Sequence, residues 1–294
     1  GRADLSAWNL QEQPIVELSG TWAFFWEEYI ISGAEAADTD MFQSVPGSWN
    51  NAVDSSTGYA TYRARIRLPE NTPLLGLDVQ RTNNANRVYV NGELLGSVGD
   101  PGTSRENTTP FYDEIIYPIE PEGEYLNICI HIANFHQHTG GPQSPLRIGS
   151  YWALHSERNT KRGVEMLFIG IILAIGIYHL VLFRYQPEEK GLLYFFLFTF
   201  VAGTRSLVTE SIFLAELLPW LPWGAVIRIE YLTFAFLAVP MLGFLRSLYP
   251  KEVNKPLNLI VLGLAVLYAI IILVFPPLVS TSLISVQQII LGIE

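Results

Sequence analysis

Residues 164–183 (VEMLFIGIILAIGIYHLVLF) constrain this chain more than any other stretch. About twenty residues, with one acid near the start and one histidine near the end, match the length a helix needs to cross a bilayer core at roughly 1.5 Å per residue. The stretch reads as a first membrane span, and it parts the chain into halves with different solvents. Before Ser156 the sequence is rich in Asp, Glu, Asn, Gly and Pro; after Val164 it is mostly Leu, Ile, Phe, Val and Ala. The overall net charge of -10 over 294 residues therefore describes neither half. The break places a soluble domain at 1–157, a short connector at 158–163 and a helical membrane domain at 164–294.

The first residue is Gly1, so a cut or processed start is expected and no secretory signal is readable. Cys129 is the single cysteine, which excludes an intrachain disulfide and argues against a thiol-ligated metal. An acidic soluble half without basic clusters argues against nucleic acid as partner.

In that half, residues 18–26 (LSGTWAFFW) form an aromatic-rich run suited to a sheet interior. Residues 45–49 (VPGSW) break regular structure and deliver Trp49. The clearest strand is 60–68: Ala60, Tyr62, Ala64, Ile66 and Leu68 share one face, expected as core, and Thr61, Arg63, Arg65 and Arg67 the other, expected to be wet. Asn91-Gly92 tolerates the positive φ of a tight hairpin between 87–90 and 93–98. Residues 125–134 alternate again, with Leu126, Ile128, Ile130 and Ile132 inward and Asn127, Cys129 and His131 opposite. Short strands, turn residues and no long amphipathic helix indicate an antiparallel all-β sandwich, and specifically a jelly roll.

The series LSGTWAFFW, VPGSW, GYATYRARIRLP (58–69), VYVNGELLGSVG (88–99) and NICIHIANFHQHTGG (127–141) resembles the sugar-binding jelly-roll module of family 2 glycosidases. The resemblance covers about 130 residues and implies a galactose-binding-like sandwich. Those glycosidases continue into an immunoglobulin-like domain and a TIM barrel that carries their catalytic carboxylates, whereas this chain enters a membrane.

Four spans are readable: 164–183, about 191–217, about 224–245 and about 257–275, with a fifth begun at Leu278 and an all-α bundle expected to be incomplete at Glu294. The turn at 218–223 (LPWLPW) carries two tryptophans suited to interfacial depth. Arg184 and Lys190 lie in one short loop and Arg246, Lys251 and Lys255 in the next but one, while the alternate loops have no Lys or Arg. These charges put the basic loops in the cytoplasm and the jelly roll outside. Arg158, Lys161 and Arg162 oppose that vote, but long domains translocate largely regardless of flanking charge.

Residues 228–250 (RIEYLTFAFLAVPMLGFLRSLYP) and the opening VEMLFIGIILAIGIYHLVLFRY resemble the membrane block of bacterial seven-transmembrane receptors with diverse intracellular signalling modules. The resemblance implies an inner-membrane, multi-pass receptor with its N-terminal domain in the periplasm. It also implies a cytoplasmic output module in the same full-length chain, such as a histidine kinase or a cyclase, beyond residue 294. A homodimer stays open, since receptors of this kind commonly signal as dimers and no heptad or small-residue stripe here specifies one.

Loops at one end of a sugar-binding jelly roll supply amides for a sugar's hydroxyls and aromatics for its C–H faces. By that logic Trp49, Tyr59, Asn83, Asn84, Asn134, Phe135, His136 and His138 are the candidate ligand rim. The competing reading makes Trp49 a core aromatic and the asparagines turn formers. His131, His136 and His138 invite a metal, but no acidic or cysteine cluster accompanies them, and none is assigned. In the spans, Arg205, Glu210, Arg228 and Glu230 are costly charges that should face the bundle interior or one another. Glu210 at about 10 Å depth and Arg228 at about 6 Å could pair, and Arg205 would need Glu230 or water.

The sequence has no nucleophile elbow, phosphate-binding glycine loop or HExxH. The expectation is a non-enzymatic receptor without cofactors, sensing a small ligand for which carbohydrate is the implied class, with the bilayer around its helices. The alternatives are a sensor of an envelope protein and a transporter lined by the four intramembrane charges.

Overall fold

The computed structural model describes residues 1–31, 39–80, 82, 85–209, 213–253 and 255–283. Asn83, Asn84 and Glu210 lie outside the described residues. The chain divides into two compact units, Gly1–Asn159 and Thr160–Glu294.

The first unit is an antiparallel β-sandwich. Its strands are β1 (Arg2–Asp4), β2 (Ile15–Glu17), β3 (Gly20–Trp26), β4 (Phe42–Val45), β5 (Gly58–Arg67), β6 (Leu75–Val79), β7 (Ala85–Val90), β8 (Glu93–Val98), β9 (Ile115–Ile119), β10 (Tyr125–Asn134) and β11 (Arg147–Ser150), with the short helix α1 (Asn50–Val53) before β5. The larger sheet runs β4-β3-β5-β10-β7-β8, with β1 added parallel to the end of β5; the smaller runs β2-β11-β6-β9. β5 and β10 lie centrally and pair over their full length, from Tyr125 opposite Arg67 to Asn134 opposite Gly58. At the hairpin, Asn91 and Gly92 both take positive φ, 51° and 89°, and Val90 faces Glu93. Only residues that tolerate the left-handed region fit such a turn.

Between the sheets lies one core, in which Phe24, Tyr62, Ile66, Leu75, Leu77, Ile128, Ile130, Ile132 and Ile148 are almost wholly excluded from solvent. Alternation places them there, because residues two apart on a strand share a face. The opposite face of the larger sheet departs from expectation. Arg65 and Arg67 are exposed, but Cys129 is buried and Thr61 and His131 are buried beneath the chain that follows β3. Thr61 Oγ1 donates to the Glu28 carbonyl at 2.7 Å and accepts from Ile30 N–H at 3.1 Å, so a strap of residues 27–31 covers this face where a wet one was predicted.

The helix α2 (Tyr151–Tyr185) begins directly after β11. Its first turns belong to the sandwich unit: Leu154 is fully buried, and a Cβ on Gly76 of β6 would meet Ile116, Leu154 and the Tyr151 backbone. The expected connector at 158–163 lies inside this helix.

The second unit contains the remainder of α2, then α3 (Lys190–Thr209), α4 (Phe213–Leu217), α5 (Trp223–Leu248), α6 (Lys255–Val274) and α7 (Pro277–Ser282). Among the described residues four helices, α2, α3, α5 and α6, are long and apolar enough to cross a membrane. Close approach is made by small residues: Gly243 of α5 abuts the Tyr194 ring of α3, and Gly191 of α3 abuts Ser247. In lipid, where apolar contact between helices gains little over contact with acyl chains, such backbone proximity carries much of the packing.

Candidate functional site

One end of the sandwich is assembled from three connections: 46–57, 99–112 and the turn after β10. Asn134, buried at the end of β10, organises the last. Its Oδ1 accepts from Gln137 N–H at 3.0 Å, and its Nδ2 donates to the carbonyls of Gln137 at 2.8 Å and Ser56 at 2.7 Å. Asn50 does the same across a second gap, donating to the His138 carbonyl at 2.7 Å and accepting from Gly140 N–H at 3.1 Å. These amides bind backbone groups of the turns they close.

Trp49 is a correction to the ligand rim. Its ring is fully buried among Phe24 and Trp26 and lies against Gly140, where any Cβ would overlap the indole. A side chain that seals the core cannot stack on a ligand at the surface. Asn134 likewise faces its own loop. What remains presented from the predicted set is Tyr59 and Phe135, both half-buried, His136, and the exposed His138. His136 sets its Nε2 3.2 Å from the Thr108 carbonyl, and burial holds its pKa below the usual histidine value. Gln137, not singled out in the sequence, donates to the Tyr112 hydroxyl at 3.1 Å.

Next to Tyr59, on the outer face of the larger sheet, is an aromatic group that sequence reading missed. The strap places Tyr29 with its ring 4.5 Å from His131, nearly parallel at 19°, and 4.9 Å from Tyr59. Tyr89 approaches His131 at 4.8 Å, and the Tyr29 hydroxyl donates to the Gly102 carbonyl at 2.9 Å. His131 Nε2 lies 2.9 Å from the Ile30 carbonyl, which can only accept, so this nitrogen carries the proton. Burial, reinforced by the positive charge of Arg87, keeps His131 below its ordinary pKa and hence neutral at pH 7. Arg87 itself pairs with Asp100.

A second missed cluster fixes the start of α2. Asp78 of β6, with its side chain 2% exposed, accepts two bonds on Oδ2 from Arg147 of β11, at 2.9 and 2.7 Å, and one on Oδ1 from Arg158 of α2 at 2.9 Å. Arg158 also donates to the Glu114 carbonyl at 2.9 Å, and Arg147 to Glu157 at 2.5 Å. The signal for it was an acid on the Gly76–Asp78 side of an otherwise apolar strand. Its partners stand 69 and 80 residues away.

In the helical unit, Arg205 donates to the backbone carbonyl of Glu230 at 3.3 Å, lies 4.9 Å from the Phe234 ring and interacts electrostatically with Glu230. Arg228 donates to the Ile272 carbonyl at 3.3 Å. The proposed partner of Arg228, Glu210, lies outside the described residues. Among the described residues no group of three or more His, Cys, Asp or Glu is placed to hold a metal ion.

Residues 161–293 match the family described as 7TM diverse intracellular signalling. The helical half of the chain is similar to that family. The matched stretch contains helices long and apolar enough to cross a membrane, and a β-sandwich precedes it. No curated protein sequence matches the chain significantly. Among solved structures, it is similar to a GH2 beta-galacturonidase from Eisenbergiella tayi bound to galacturonate (17% identity, 46% of this chain and 24% of that one, TM-score 0.34). It is also similar to a Bifidobacterium dentium beta-glucuronidase complexed with coumarin-3-O-glucuronide (15%, 46% and 29%, TM-score 0.36), and to a Ruminococcus gnavus beta-glucuronidase (15%, 46% and 27%, TM-score 0.35). The chain spans about a quarter of the length of these glycosidases.

Proposed function

We propose that this chain is the sensing and membrane portion of a receptor whose β-sandwich lies in the periplasm of a bacterial inner membrane and takes a small ligand, with carbohydrate the first class to try. The helical unit passes the event to a cytoplasmic module, and this portion performs no catalysis itself. The observation that carries the reading is the join. The sandwich runs without a flexible linker into a helix whose residues from 161 onward match the signalling family, and the start of that helix is held to the sandwich through Asp78. A glycine-rich connection would absorb motion, whereas a helix anchored at its start can pass it on. Ligand binding then acts by population shift, favouring whichever arrangement of the helices the bound sandwich prefers.

The test is a thermal-shift and calorimetric screen of the full chain in lipid nanodiscs against mono- and oligosaccharides, divalent metals and cell-wall fragments. Saturable stabilisation by one class supports a small-molecule receptor, since a ligand that binds only the folded state raises its stability. Silence across the panel turns the reading toward an envelope protein as partner.

A further inference from the structure

The strap over the larger sheet does more than bury a face. Its backbone leaves β3 at Glu27, whose φ of 54° is in the left-handed region that non-glycine residues seldom occupy, and it is held chiefly by side chains of the sheet. Into the sheet's outer face it lowers a single ring, that of Tyr29. The floor is His131, near-parallel at 4.5 Å; Tyr59 flanks it at 4.9 Å; and a backbone carbonyl, Gly102, receives the hydroxyl at 2.9 Å. Aromatic faces below and beside, with a polar acceptor at the ring's far edge, are the features by which a protein recognises a hydroxylated six-membered ring.

We infer that the place occupied by Tyr29 is a ligand seat and that Tyr29 is its resident plug, displaced when a hydroxylated ring such as a pyranoside binds against His131 and Tyr59. This deepens the small-ligand reading above and rests on it. The seat needs no new cavity, because removing the plug's ring would uncover both partner faces. Tyr89 and the Arg87–Asp100 pair border it, so the seat has an aromatic floor and a charged margin. Occupation by the plug lowers apparent affinity in proportion to the fraction of molecules in which the strap is lifted. Lifting the strap also frees the Ile30 and Glu28 carbonyls and the Thr61 hydroxyl, which gives the sandwich two discrete states for α2 to report.

The experiment is calorimetric titration of the full chain in nanodiscs with methyl pyranosides of glucose, galactose, mannose and glucuronic acid, and separately with p-cresol to distinguish sugar from phenol. Proteins compared are wild type, Tyr29→Ala, Tyr29→Phe and Tyr59→Ala. The inference expects Tyr29→Ala to bind a ring at least about tenfold more tightly than wild type. Tyr29→Phe, which keeps the ring and loses only the bond to Gly102, shifts affinity in the same direction by less, and remains informative should the alanine variant unfold. Tyr59→Ala weakens binding, and in the wild type the ring increases hydrogen exchange at residues 27–31. Wild-type binding that both Tyr29 variants leave unchanged, but that Phe135→Ala or His138→Ala abolishes, overturns the plug and leaves the receptor reading standing. Absence of ring binding in every protein, including the unplugged ones, overturns the seat.

Discussion

His131 is an imidazole held neutral inside a sheet face that its sequence pattern assigned to water. The difference has a pH consequence whose sign follows from the direction of its shift. Its pKa in the fold is below the unfolded value of 6.5, as is that of His136, so the unfolded chain binds more protons on acidification. The stabilisation is complete above pH 6.5 and is lost as pH falls through the lowered values. Thermal melts of the sandwich between pH 7.5 and 5 should therefore show falling stability, and His131→Gln should reduce that slope without removing the part due to His136. Asp78 makes a different prediction. Removing one member of a buried charge cluster leaves the others unpaired, so Asp78→Ala should cost about 3–5 kcal/mol in denaturant unfolding. Replacing Asp78, Arg147 and Arg158 together by Leu, Met and Leu should cost much less than that single change, because no desolvated charge is left behind.

At the scale of elements, β5, β10 and the Asn91-Gly92 hairpin were legible because strict alternation and positive-φ residues are local signals. β1, β2, β4 and β11 have three or four residues each, too few for a period to show, and their places are set by sheet pairing. The early start of α2 was hidden for a related reason. Residues 151–163 are polar and look like a connector, and only the pocket over Gly76, which receives Leu154, and the Asp78 bonds to Arg158 reveal a helix packed on a sheet. Trp49 follows a Pro-Gly turn, the signature of an exposed loop, yet it points inward because Gly140 leaves room for its ring. Of the predicted rim, Tyr59 stands beside an aromatic group, and the rest of that group came from Tyr29 on the strap and Tyr89 on a neighbouring strand, contacts distant along the chain and therefore silent in sequence. In the helical unit the contact between Gly243 and Tyr194 carries its own prediction. Gly243→Val should drive a branched side chain into the Tyr194 ring and lower the melting temperature in nanodiscs by several degrees, while Gly263→Val, where a Cβ meets nothing, should change it little.

In the whole molecule, the proposed sensor and the membrane unit are joined by one covalent element, a 35-residue helix whose first turns are part of the sandwich. The most direct measurement is hydrogen exchange followed by mass spectrometry on the full chain in nanodiscs, with and without the ligand that stabilises it, in wild type and in Arg158→Leu. A receptor that works as described will show ligand-dependent exchange at residues 27–31 and also in α2 beyond Asn159, and Arg158→Leu will keep the first change and lose the second. Ligand-induced changes that stop within residues 1–150 in the wild type would contradict the claim that the helix relays what the sandwich senses.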